Sequence, residues 1–138
     1  MEQSGLAFPK GNRKKKRKKH KRSILQEKTG ECYICRALGI YRIQPVQEHH
    51  IFGNVANRKI SEAEGLKVYL CLPHHTDGAA AVHNNKNMMH WLKVKGQLAY
   101  EEEHSREEFM ELIGKNYAEA YREEVKEWEM SEGLTYQP

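Results

Sequence analysis

Two histidines stand side by side in EHHIF, residues 48–52, between a glutamate and two bulky apolar residues. Neutral imidazole is a good ligand for a borderline metal ion, and it is a base whose pKa near 6.5 lies close to cellular pH. A single histidine at the edge of a buried strand is ordinarily a satisfied core residue. Two adjacent ones, with His74, His75 and His83 further along, ask for a chemical reason. A second set of spacings points to a metal directly. Cys32 and Cys35 form C-x-x-C, Cys71 and His74 form C-x-x-H, and 35 residues separate the pairs. Zn²⁺ takes four such ligands in a tetrahedron, and a two-residue spacer lets the chain turn both side chains of a pair onto one ion. A thiol redox role for C-x-x-C is the weaker reading, because no βαβ pattern surrounds it. Cys32, Cys35, Cys71 and His74 are therefore expected to hold a structural Zn²⁺. His49, His50, His75 and His83 are left unassigned, His20 falls in a basic run, and His90 and His104 read as incidental residues on helix surfaces or ends.

The chain has 138 residues, enough for one modest domain, and only 38% of them are apolar. A small core is expected, which a structural metal would help to hold because metal binding adds folding free energy. Three cysteines, an odd number, argue against a closed disulfide framework. No run approaches the roughly 18–20 apolar residues of a membrane span, and no apolar segment follows the basic run as in a secretory signal. A cytoplasmic, or at least intracellular, protein with no membrane partner is expected. The net charge of +4 is unevenly divided. Residues 10–22 carry ten Lys or Arg and no acid, which leaves 13 basic residues against all 19 acidic ones elsewhere. The run including Lys14, Lys15, Lys16, Arg17, Lys18 and Lys19 repels itself. It reads as a disordered arm that binds nucleic acid by releasing counterions, although a nuclear import signal has the same composition.

These residues must be positioned by short elements. Residues 1–22 are expected to be a disordered basic tail, 23–103 a metal-braced core and 104–138 a helical extension. The lead-in SILQEK is followed by a turn-like TGECYICRALG. Residues 43–52 read as extended, with Pro45 limiting them to an edge or a strand start. Residues 53–65 read as a polar loop with a helical turn at SEAEG, and 66–72 as a second strand of alternating apolar and polar residues. The loop PHHTDGAAAV leads into a helix from about 84 or 85 to about 102, with Met88, Trp91, Leu92 and Leu98 close to one face. Ser105 and Glu108 fit a capping box at the start of a last helix, where Phe109, Leu112 and Ile113 share a face, Gly114 interrupts, and Tyr117, Tyr121, Val125 and Trp128 continue the stripe.

In this order, C-Y-I-C at 32–35, E-H-H-I-F at 48–52, Y-L-C-L-P-H-H at 69–75 and V-H-N-N-K at 82–86 resemble the HNH family of nucleases with a ββα-metal finger. The likeness runs from about Cys32 to Gly96. With the basic tail and the SILQ lead-in, it is closest in character to small phage- or prophage-borne members. The resemblance implies an α+β fold: a zinc-braced ββα-metal finger, with additional C-terminal helices and a disordered N-terminal tail. It implies a hairpin and helix gripping one catalytic divalent ion, and cleavage of DNA phosphodiesters to 5′-phosphate and 3′-hydroxyl ends. By that likeness His49 takes the place of a metal ligand, His50 that of the general base and His83 that of a further ligand. His75 resembles the histidine that closes the family's C-x-x-C-H segment.

The chain departs from the family pattern at three places. The fourth zinc ligand is His74 where many relatives have cysteine. Seven residues separate His75 from His83, whereas the usual helix carries its ligands within one turn. The family's asparagine is missing before Cys71, and Asn57, Asn84, Asn85 or Asn87 would have to replace it. The chemistry is coherent without the family. Phosphodiester hydrolysis needs a base for the attacking water and a cation for the charge on the leaving oxygen. An all-histidine ligand set suits Zn²⁺, Ni²⁺ or Mn²⁺, while Asp77 or Glu48 joining it would favour Mg²⁺. Arg58, Lys59, Lys86 and Lys93 are expected to grip phosphates beside the arm. No recognition helix with base-reading side chains is evident, so weak sequence preference on DNA is expected, with branched or single-stranded targets included. The alternative is a non-catalytic, zinc-stabilised nucleic-acid-binding module.

Overall fold

The computed structural model describes residues 20–118 together with Glu129, Glu132 and Gly133. The basic residues Lys14 to Lys19 and the stripe at Tyr121, Val125 and Trp128 lie outside them. The architecture is α+β, a two-stranded antiparallel sheet with helices around it. Among the described residues no helix is long and apolar enough to cross a membrane.

The C-x-x-C segment is a five-residue helix rather than a turn: α1, Tyr33–Ala37, begins at Cys32, whose sulfur accepts the Cys35 N–H at 3.4 Å. Strand β1, Gln47–His50, pairs with β2, Lys67–Leu70, so that His49 faces Val68 and His50 faces Lys67. β1 is shorter than the expected 43–52. Pro45 has no N–H to pair, and the Gln44 N–H goes to the Gly30 carbonyl instead, at 3.0 Å. β2 was expected to alternate, yet all four of its residues are buried. Lys67 is accommodated because its ammonium meets Glu62 at 3.0 Å and Glu48 at 3.3 Å.

The largest departure is α2, Val55–Glu64, a ten-residue helix where a polar loop was expected. Asn54 caps its start, its Oδ1 accepting the Asn57 N–H at 2.8 Å, and Gly65 ends it at φ +75°, a left-handed conformation that favours glycine. A side chain at Gly65 would also run into the Arg22 carbonyl, because the lead-in passes directly over this turn. α2 is anchored by Ser61, whose hydroxyl donates to the Phe52 carbonyl at 3.0 Å while the Phe52 N–H donates back at 3.2 Å. The lead-in packs alongside: Lys21 N–H bonds to the Glu62 carbonyl, the Ser23 hydroxyl to the Lys67 carbonyl, and Tyr69 N–H to Gln26 Oε1. Residues 20–22, expected to belong to the free tail, are thus seated against the C-terminal end of α2.

After β2 the chain makes one π-helical turn at Pro73–Asp77 and reaches α3, Lys86–Tyr100, capped by Asn85. Ile51, Phe52, Leu66, Val68 and Leu70 pack against Trp91 and Leu92 of α3 and Phe109 of α4, Arg106–Ile113. At Gly96 an added Cβ would lie 3.1 Å from Ile51, so this glycine lets α3 press against the residues that directly follow the paired histidines. The Ser105–Glu108 capping box is formed in both directions.

Candidate metal centres

Cys32, Cys35, Cys71 and His74 converge from α1 and from the turn after β2, with their ligand atoms all within 4.8 Å of one another. His74 Nδ1 lies 3.3 Å from Cys71 Sγ, 3.4 Å from Cys35 Sγ and 3.7 Å from Cys32 Sγ, and the Cys35 and Cys71 sulfurs are 3.7 Å apart. Ligands on the edges of a tetrahedron around an ion with Zn–S and Zn–N bond lengths would be about 3.6–3.8 Å apart. The group therefore has the shape to hold a metal ion. The three cysteines are buried and free of disulfides. Burial pushes the Cys32 thiol up to about 12 and raises Cys71 as well, so a thiolate here has to be held by a cation. Gln44 Nε2 donates to Cys35 Sγ at 3.4 Å, a contact that orients a ligating sulfur.

A second group lies at the other end of the same turn. His49, His75 and His83 bring ligand atoms within 4.8 Å of one another, with ring centroids 4.9–5.2 Å apart. The excursion at 76–82 that separates His75 from His83 folds back on itself. His83 N–H bonds to the His75 carbonyl at 3.3 Å, Val82 N–H to the His74 carbonyl at 2.9 Å, and Asn84 Nδ2 clamps the Thr76 and Gly78 carbonyls. His83 sits in this turn, two residues before the Asn85 cap, and not in α3 itself. His75 Nδ1 lies 2.7 Å from Gln47 Oε1, so the proton rests on Nδ1 and the lone pair on Nε2, which faces His83 Nε2 at 3.2 Å. Two imidazoles on one ion place their nitrogens about 3.0–3.4 Å apart. His49 Nε2 is fully buried and has no hydrogen-bond partner among the described residues. Burial, then the charges of His75 and His83, hold the His49 imidazole down at about 3; burial and His83 lower His75. These shifts favour the neutral, lone-pair-bearing forms of His49 and His75, and three imidazole nitrogens fit a borderline cation. Neither Asp77 nor Glu48 belongs to it among the described residues.

His50, the other neighbour, turns away from this trio, as strand geometry requires. Its Nε2 bonds to Glu62 Oε1 at 2.7 Å and lies 3.7 Å from Glu48. Glu62 also meets His20 at 2.8 Å and Lys67 at 3.0 Å. Its carboxyl is held down at about 2, chiefly by the bond from His50, helped by those from His20 and Lys67, against a smaller opposing push from burial. Burial works to lower the Lys67 ammonium, but its bonds to Glu62 and Glu48 leave it raised. Although their rings part, His49 and His50 line one cleft of about 560 Å³ together with His75, His83, Asn57 and Arg58.

Of the four candidate asparagines only Asn57 borders this cleft; Asn84 and Asn85 are engaged in the turn before α3 and its cap. The residue that holds His50 is Glu62, which the sequence reading missed because it took α2 for a loop. The framing signals, Asn54 before the segment and Gly65 after it, were present. Gln47 was missed as well. Arg58 lines the cleft, Lys59 is exposed on α2 outside it, and Lys86 opens α3. Searches of protein-family models, curated proteins and solved structures find no match to this chain.

Proposed function

We propose that the chain is a metal-dependent DNA endonuclease of the HNH type, of the small phage-borne kind. In this reading Cys32, Cys35, Cys71 and His74 hold a structural Zn²⁺, and His49, His75 and His83 hold one exchangeable divalent cation. The observation that carries it is the buried, unpartnered His49 Nε2, set among His75 and His83 on the wall of a cleft that His50 shares. A ring nitrogen left dry and unbonded costs about 1–3 kcal/mol unless a ligand takes it. The cation would bind the scissile phosphate and offset the charge growing on the leaving oxygen.

The chain's own residues supply the rest. Glu62 accepts the Nε2–H of His50, which leaves the lone pair on Nδ1. That atom takes the proton from an attacking water, and the Glu62 carboxylate offsets the charge the imidazole acquires. Water oxygen bonds to phosphorus as the bond to the leaving oxygen breaks, giving the 5′-phosphate and 3′-hydroxyl ends that the family likeness implies. Glu62 thus does the positioning work expected of the missing asparagine. Arg58 in the cleft contacts a phosphate, which positions the duplex without reading it, so sequence preference is weak.

The test is nicking of supercoiled plasmid with Mn²⁺, Ni²⁺ or Mg²⁺. Wild type cuts, Mn²⁺ or Ni²⁺ serving better than Mg²⁺, and His50→Ala loses a factor of about 10²–10⁴. Equal cutting by both proteins removes His50 from the mechanism. No cutting with any ion while DNA still binds would make the chain a non-catalytic, zinc-stabilised binding module.

A further inference from the structure

A second cleft, of about 490 Å³, opens beside the first, and His83, Met89, Lys93 and Tyr117 line both. The histidine trio and this second cleft thus lie on either side of shared residues, His83 being a member of both. Its other walls include Lys86, His90 and Lys115, and no aspartate or glutamate among the described residues. Lys86, Lys93 and Lys115 have no acidic partner among the described residues. Two of them are held by an aromatic ring instead: the ammonium groups of Lys93 and Lys115 lie 5.3 and 5.1 Å from the centre of the Tyr117 ring. A carboxylate would have cancelled these charges, whereas the face of a phenol ring restrains them and leaves them available to an anion. The ring is itself fixed. Tyr117 N–H donates to Oε1 of the buried Gln97 at 2.7 Å, Gln97 Nε2 donates to Asn116 at 2.8 Å, and the ring packs 5.5 Å from Phe52. The positive charges act on one another: burial, then the Lys115 charge, lowers Lys93, and burial with both lysines lowers His90.

We infer that this cleft seats a phosphate flanking the scissile one on the cut strand, held by Lys93 and Lys115 poised on Tyr117, with Lys86 at its rim. The inference rests on the nuclease reading for which phosphate is scissile, but the strand seat can be tested without cleavage. A polyanion with regularly spaced charges suits the place better than a single anion, because the two clefts share the wall made by His83, Met89, Lys93 and Tyr117. His90, read from sequence as incidental, becomes a neutral wall of the seat.

The experiment is fluorescence anisotropy of a labelled single-stranded oligonucleotide on the full, zinc-loaded chain carrying His50→Ala, so that nothing is cut during the measurement. Binding is followed as a function of NaCl. Replacing both Lys93 and Lys115 by alanine should make the slope of log K against log salt shallower by about 1.4, the loss of two single-strand phosphate contacts. Lys115→Ala alone, at an exposed position that does not endanger folding, should take about half of that, and Lys115→Arg should restore it. An unchanged slope in Lys115→Ala overturns the inference, even if the wild type nicks plasmid. So does displacement by a polyglutamate peptide of equal charge as effective as displacement by unlabelled oligonucleotide, which would make the cleft a seat for acidic protein. A shallower slope in a protein that never cuts DNA would leave the strand seat standing and remove the nuclease reading alone.

Discussion

Two groups of side chains that could hold a metal ion flank the same turn, and they differ in almost every physical respect. The Cys32, Cys35, Cys71 and His74 group has four members, three of them 3% exposed or less, and its sulfurs are pointed at one another and at an imidazole. The His49, His75 and His83 group has three members graded from buried through half-buried to exposed, and it forms the wall of a cleft. A closed set of four suits an ion that holds a fold together; an open set of three suits an ion that must also meet a substrate. His74 and His75 are consecutive, so a single turn serves both. The closed and open groups are therefore tied together through one stretch of backbone. Whatever fixes His74 also fixes the backbone of His75 and, through the bond from His83 N–H, the last member of the trio.

The contrast can be broken most severely at the closed group. Cys35→Ala should abolish the cooperative thermal transition followed by circular dichroism, since the binding free energy of a structural zinc, on the order of 10 kcal/mol, is folding free energy. A wild-type transition in that variant would show that the group is no brace. His83→Ala should do the opposite: loss of plasmid cutting to the level seen without added ion, with stability changed by no more than about 0.5 kcal/mol at this exposed position. A subtler change is Gln47→Ala. It frees His75 Nδ1 and should weaken the exchangeable ion about 10- to 100-fold by titration calorimetry, with the zinc content unaltered. The smallest expected effect concerns acid. Glu62 titrates at about 2 in the folded chain against an ordinary 4.5. Its share of stability is therefore present above about pH 4.5 and is lost as pH falls toward 2. Because acid also protonates the metal ligands, the observable is a difference: between pH 5 and 3, wild type should lose more stability in urea melts than Glu62→Gln does.

What could be read from the sequence was local. C-x-x-C and C-x-x-H announce a shared ion because each pair is positioned by its own turn, and the convergence of the four side chains agrees with that spacing. The Ser105 capping box is likewise three residues long. The part that stayed hidden is α2. Only Ser61 of its ten residues is buried, so there is no apolar stripe to reveal a helix, and its place is set by the Ser61–Phe52 exchange of hydrogen bonds. Glu62 reaches His50 only as a consequence of that contact. The meeting of Lys93 and Lys115 on Tyr117 depends on Gln97 capturing the chain after α4, which no spacing rule encodes. Lys67 is hidden for a related reason: it reads as the polar half of an alternating strand, but two carboxylates from β1 and α2 draw it inward.

Metal analysis tests the two-centre account most directly. After dialysis, wild type should retain close to one zinc per chain and, on titration with Mn²⁺, should take up one further ion that dialysis removes. His49→Ala should keep the zinc and lose the second uptake. A His49→Ala protein that binds the second ion as wild type does, or a wild type that never takes up more than one ion, would contradict the account.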